Sequence, residues 1–236
     1  MPEHDRPRRL LVEAFVIVGS ILLAFAIDAA WDERQETSAA EELARDMIND
    51  LGASLADIER AKSGNQRKAD ASLAVLDALR PPELQIPVDS LNALIAQSTL
   101  IYRLAPVNRS YDQLVATGLL RRLEPEVREG LAAWRQQQDN TITYHERDLL
   151  DFRQNVGFPF LADSEVSVEE VFQGSEFLDA RAPRFRHSLQ SLRESREVNN
   201  VFTLTGVLAA NVLREYSELE VETRAMRDLL EARYGR

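Results

Sequence analysis

Apolar residues run almost unbroken from Leu10 to Ala30, and a periodic pattern of apolar and polar positions then continues to the C-terminus. As a helix the first stretch spans about 31 Å at roughly 1.5 Å per residue, close to the ~30 Å hydrocarbon core of a bilayer. Twelve of its positions are Leu, Ile, Val or Phe. On an insertion scale these contribute roughly -4 to -7 kcal/mol. Glu13 and Asp28 oppose insertion, but each lies within a turn of an end, where a carboxylate reaches the headgroups at reduced cost. The pattern predicts a membrane-spanning helix over residues 10–30. Two rival readings stand beside it: the core helix of a soluble protein, and a cleaved signal peptide. Ala24-Phe25-Ala26 has the small-x-small form of a cleavage site, although the apolar run continues past it and Glu13 interrupts the segment before it.

The flanks orient the span. Arg6, Arg8 and Arg9 precede it, and Asp32, Glu33, Arg34 and Glu36 follow. Positive flanks stay in the cytoplasm. This predicts a cytoplasmic basic N-terminus (1–9), a transmembrane helix (10–30) and an extracytoplasmic helical bundle (31–236). Arg8, Arg9, Glu13, Trp31 and Arg34 are the expected interface residues, with the Trp31 indole at the level it favours.

Beyond the span, Leu43, Met47, Leu51, Leu55 and Ile58 share one helical face. The spacing predicts a long helix from Trp31 to Lys62, with Gly64 and Asn65 as its stop. A second helix is expected over Gln66–Arg80, with Leu73, Leu76 and Leu79 inward, ended by Pro81-Pro82. A third runs from Pro87 to Thr99, and residues 102–109 read as a loop. Ser110-Tyr-Asp-Gln113 has the form of a capping box, and Gly118 that of a left-handed helix end. Pro125 opens a long helix expected to run to Val156 and stop at Gly157. Residues 158–182 read as extended chain and short helices, with a possible cap at Ser167. The last helix starts near Pro183 or Ser195. Its face is Val201, Thr205, Leu208, Val212, Tyr216, Leu219, Thr223, Met226 and Leu230, a near-heptad repeat that calls for long, nearly parallel packing. The fold class is all-α: a transmembrane helix continuing into a long-helix antiparallel bundle, forming one aqueous domain.

Composition sharpens this picture. Ala, Leu, Glu, Arg and Lys make up nearly half of the 236 residues, Gly numbers 9, and 39 acids against 28 bases give a net charge of -11. That is a long-helix composition. An acidic chain is a poor ligand for nucleic acid. With no cysteine there is no disulfide scaffold or thiolate chemistry.

Two segments resemble an uncharacterised family of bacterial single-pass membrane proteins. Gly19-Ser-Ile-Leu-Leu-Ala24-Phe-Ala-Ile27-Asp28-Ala-Ala-Trp31-Asp32-Glu33-Arg34 is similar to that family's Gly…Leu-Ala…Ile…Trp-x-Glu-Arg membrane exit. Tyr111-Asp-Gln-Leu114-Val-Ala-Thr-Gly118-Leu-Leu120, followed by Pro125-Glu-Val-Arg-Glu, looks like its helix–Gly–helix segment. The family more often has Asn at the position of Asp32. The resemblance implies a bacterial, membrane-anchored, mostly helical protein and brings no activity; together with the charge of the flanks, the expectation is a span in the inner membrane and a periplasmic bundle.

Reactive constellations are sparse. His145-Glu146 lacks the second histidine of a zincin, and no phosphate-binding loop or nucleophile elbow occurs. No cofactor, metal site or enzymatic activity is expected. The polar run before His145 lies where a core face should be, so Gln138, Asn140, Tyr144 and His145 are a candidate ligand pocket. Arg181, Arg184, Arg186, Arg193 and Arg196, with His187 among them, form a basic patch suited to anionic headgroups or an acidic partner. The leading functional expectation is a membrane-anchored interaction or scaffold protein whose partners are the bilayer and another protein or a second copy of itself. The alternative is an extracytoplasmic ligand-binding, sensor-like bundle acting through a partner.

Overall fold

The structure, a computed structural model, describes residues 6–81, 83, 86–163, 166–172 and 186–235, and of residues 6–12, 14, 144–146, 158, 162 and 163 the backbone alone. The described residues contain no β-strand. Two long helices, α1 (Arg6–Leu79) and α9 (Arg196–Tyr234), form the main packing seam, with the intervening elements wrapped around it. The seam is antiparallel. Ala40 and Leu230 share one core cluster, and Val75 and Val198 share another at the opposite end.

The unbroken α1 corrects the expected stop at Gly64 and Asn65. Asn65 is fully buried, and its Nδ2 donates to the Ala61 carbonyl at 2.9 Å and to the Tyr102 carbonyl at 3.0 Å. An amide that reads as a terminator in isolation is here a bracket holding the loop after α2 (Val88–Thr99) against the helix. Losing the stop also changes the helical phase. The buried stripe runs Met47, Leu51, Ser54, Ile58, Ala61, Asn65, Lys68, Ser72, Val75 and Leu79, alternating steps of four and three. Leu73, expected inward, is 57 % exposed. Position in the stripe, not side-chain hydrophobicity, decides which residues of α1 are covered.

Residues 15–31 lie outside this packing. Phe15, Ile17, Leu22, Leu23, Phe25, Ile27 and Trp31 are all exposed, and burial begins only at Ala40. The stretch is long and apolar enough to cross a membrane, and none of it is covered by the rest of the described chain. A core helix of this chain would bury these side chains, and the described residues do not cover them.

After α2 the chain crosses back and forms α3 (Arg109–Ala116), Gly118 at φ +69°, a 3₁₀ turn (Leu119–Arg122) and α4 (Pro125–Asn140). The left-handed Gly118 and Pro125 in the first turn are as expected. The capping box is not formed. Asn108 precedes α3, and Ser110 donates its N–H and its hydroxyl to Asp50 of α1, at 2.9 and 2.8 Å. A tertiary acceptor outcompetes the local one. Replacing Asp50 by Ala leaves a partly buried Ser110 N–H without its acceptor. It should cost about 1–2 kcal/mol in a denaturant titration, and an unchanged midpoint would show that α3 does not depend on this contact.

The helix expected over Pro125–Val156 is built from unlike pieces. α4 passes into a π-helical turn (Thr141–Glu146), α5 (Arg147–Phe152), a second π-helical turn (Arg153–Gly157) and α6 (Phe158–Asp163), so the helical path runs beyond Gly157. α7 (Val168–Val171) is capped by Ser167 as expected, α8 (Leu189–Glu194) by Ser188, and α9 by Ser195. Among the expected face of α9, Val201, Thr205, Val212, Tyr216, Leu219, Thr223, Met226 and Leu230 are buried and Leu208 is half-buried. Trp134 of α4 reaches across and donates its Nε1–H to Thr223 Oγ1 at 3.1 Å.

Candidate functional site

The stripe of α1 becomes polar where the surrounding wall changes character. Asn65, Lys68 and Ser72 occupy three successive core positions. Asn65 is bonded as above, and the Ser72 hydroxyl donates to the Lys68 carbonyl at 2.9 Å. Lys68 is one of only two lysines in the chain. The other, Lys62, donates to Glu220 at 2.6 Å. Lys68 is 6 % exposed, and no carboxylate among the described residues pairs with its ammonium.

Lys68 lines a partly enclosed cavity of about 420 Å³, within the usual range for small-molecule sites. Phe152, Phe160, Phe172, Val201 and Phe202 supply most of its apolar wall. Arg153 and Gly157 bring the second π-helical turn to its edge. Such turns widen a helix and recur at functional sites. Ser98 and Thr99 close the end beside α2, but each hydroxyl proton is already donated to a backbone carbonyl, those of Ile95 and Ala96. They therefore offer lone pairs to the cavity. No Asp or Glu is among its described lining residues, in a chain with 39 acids.

Burial lowers the Lys68 pKa from 10.5 to about 8, and the nearby Arg153 cation pushes in the same direction. The site is thus an apolar cavity with two cationic side chains and hydroxyl acceptors. It can hold a molecule that has an apolar body and a negative or strongly accepting end.

Comparison with family models, with curated proteins and with solved structures finds no match, so the functional reading rests on the residues and their geometry.

The expected polar pocket is not assembled from its described members. Gln138 faces the core, and its Oε1 accepts from Arg135 Nη1 at 3.2 Å. Asn140, two residues on, is exposed in a shallow groove with Gln136, Gln137, Glu218 and Glu222. Residues two apart point to opposite sides of a helix, which is why the pair cannot line one space. The side chains of Tyr144 and His145 lie outside the described residues. The signal that was available and missed is Lys68: a lone cation at a core step of a heptad.

The expected basic patch also divides. Arg181 and Arg184 lie outside the described residues, Arg186 and Arg196 are exposed, and Arg193 turns partly inward with its Nε and Nη2 buried. The His187 side chain is buried with Nδ1 3.2 Å from Glu170, and the backbone N–H of His187 donates to the same carboxylate at 3.0 Å. Burial holds the His187 pKa below the ordinary value, against the opposing pull of Glu170. One continuous cationic face is therefore not what these residues form.

Of the expected interface residues, Glu13, Trp31 and Arg34 are exposed, and the side chains of Arg8 and Arg9 lie outside the described residues. The contacts that tie this end of α1 to the bundle come from other residues. Arg122 bonds Glu36 through Nε at 2.8 Å and meets Glu33 at 3.1 Å, and Arg121 adds a bond to Glu36 at 3.1 Å. The hydrogen bond from Arg122, then that from Arg121, holds the Glu36 carboxyl below the usual carboxylate range.

Proposed function

We propose that the protein is a single-pass, membrane-anchored helical bundle that binds a small amphiphilic molecule and acts through a protein partner. Residues 1–9 are cytoplasmic, residues 10–30 span the inner membrane of a bacterium, and residues 31–236 are periplasmic. The exposed apolar start of α1 and its basic flank support the anchor and its orientation, and the resemblance of the membrane-exit segment supports the bacterial setting. The observation that carries the ligand-binding reading is the cavity beside Lys68, about 420 Å³ and walled by phenylalanines. Lys68 lies 37 residues beyond Trp31 on one helix, about 55 Å along its axis. The site thus sits well clear of the bilayer, at the end of a continuous helix that leads back into it.

The scaffold reading keeps support from the outer face of α9. Leu204, Val207 and Val221 are 47 %, 51 % and 65 % exposed and lie along one side. Such a row suits a second copy or another helix.

Two measurements test the proposal. Reporter fusions should give a periplasm-active C-terminus and a cytoplasm-active N-terminus; the reverse pattern overturns the orientation. Organic extraction of the full chain, purified in phosphatidylcholine nanodiscs, should release a small molecule. A variant with the cavity filled, Ser98→Leu with Thr205→Leu, should lose it. Equal release from both proteins removes the cavity as the binding site.

A further inference from the structure

We infer that the cavity takes a single-chain anionic amphiphile, its acidic head on Lys68 and its hydrocarbon tail along Phe152, Phe160, Phe172 and Phe202. The inference rests on the ligand-binding reading above and adds the chemical class of the ligand.

Three observations lead to it. The first is charge. Lys68 is 6 % exposed in a lining without a described carboxylate, inside a chain of net charge -11. A buried cation facing an apolar wall is destabilising unless an anion joins it. Folding that tolerates Lys68 in the core stripe leaves an electrostatic vacancy of one sign, which an incoming carboxylate fills. A neutral or cationic head would leave the Lys68 ammonium without a counter-charge.

The second observation is the chemistry of the remaining polar groups. Ser98 and Thr99 present lone pairs, because their protons are held by the Ile95 and Ala96 carbonyls at 2.7 and 2.8 Å. They repel an anionic oxygen, so the head is directed toward Lys68. The third is size. At roughly the 30 Å³ that one water occupies in the liquid, 420 Å³ holds on the order of a dozen non-hydrogen atoms. A medium-chain fatty acid has that many. A two-chain phospholipid has several times more, so the cavity encloses a single-chain molecule whole and a bilayer lipid only in part.

The experiment uses the full chain in phosphatidylcholine nanodiscs with two soluble probes of equal length, [1-¹³C]decanoate and [1-¹³C]decanol, read by ¹³C NMR against empty nanodiscs. Decanoate should give a protein-bound carboxyl resonance distinct from the bilayer-partitioned one, and Lys68→Met should weaken that binding roughly tenfold to a hundredfold. Lys68→Arg should keep it, and decanol should bind weakly and equally to all three proteins. If decanol binds as tightly as decanoate, or if Lys68→Met leaves decanoate unchanged, the anionic head is wrong while the cavity reading survives. If neither probe gives a bound resonance, and the filled variant Ser98→Leu with Thr205→Leu behaves as wild type, both fall. Decanol against decanoate on the wild type reads the charge requirement even if the methionine variant misfolds.

Discussion

Replacing Lys68 by Met should make the ligand-free protein more stable at neutral pH, by roughly 3 kcal/mol. The figure follows from the fall of the Lys68 pKa from 10.5 to about 8, caused first by burial and then by Arg153. The sign follows from proton counting. Below pH 8 the ammonium is charged in both the folded and the unfolded chain, and the full penalty is present. Between about 8 and 10.5 the unfolded chain binds a proton that the folded chain does not, so stability rises with pH. Above about 10.5 both forms are neutral and the penalty is gone. Denaturant titrations across this range should therefore show wild type catching up with the variant. For a domain of this size the gap at pH 7 corresponds to roughly 5–10 °C in melting temperature. Lys62→Met is the control: Lys62 is paired with Glu220 at 2.6 Å, and its loss should not stabilise. If the two methionine variants behave alike, the desolvation of Lys68 is not the cause. A ligand that binds the folded state would narrow the gap between wild type and Lys68→Met by mass action.

Gly64→Ala should destabilise the protein by about 2–3 kcal/mol, as overpacking does. Helix propensity alone gives the opposite sign, since Ala exceeds Gly by about 1 kcal/mol in a helix interior. The contact decides. A Cβ at Gly64 would overlap the Tyr102 ring at Cγ and Cδ1 and come within 2.8 Å of Cδ2. The ring has little room to retreat: its hydroxyl accepts from Gln97 at 2.9 Å, its carbonyl accepts from Asn65 at 3.0 Å, and Arg67 lies over its face at 5.6 Å. Gly52, on the same helix, has nothing within 4 Å of an added Cβ. Gly52→Ala should stabilise by about 0.5–1 kcal/mol. Thermal melts of both variants, and of Gly64→Ala in a Tyr102→Ala background, separate the two effects. An equal loss with and without the Tyr102 ring would refute the steric account.

Gly64 also marks where sequence reasoning has its limit. Gly-Asn is a sound stop signal by local rules, but it assumes that a backbone without a side chain is there for freedom. In this chain it is there for closeness: the loop after α2 packs a ring on bare backbone, and Asn65 secures that loop. Once the helix was broken at that point, the phase restarted on Leu73, Leu76 and Leu79, and the polar core steps Asn65, Lys68 and Ser72 dropped out of sight. The cavity was missed for the same reason, since it is defined by the stripe that contains Lys68. Ser110 gives a smaller instance of the same failure. Its local partner was legible, while Asp50, sixty residues away, was not. The π-helical turns at 141–146 and 153–157 left no mark in the apolar spacing that distinguished them from continuous helix.

The sequence by itself determined the all-α class, the apolar N-terminal span, the face of α9, the Gly118 turn and the serine cap at 167. Each depends on spacing or on chemistry within a few residues, where the chain carries its own information. Only the tertiary structure decided that α1 runs unbroken, which of its side chains are covered, and that Lys68 meets Arg153 and four phenylalanines around one cavity. Those outcomes depend on partners far away in the chain, and Lys68 reads as a core cation only once α1 is known to run on through Gly64 and Asn65.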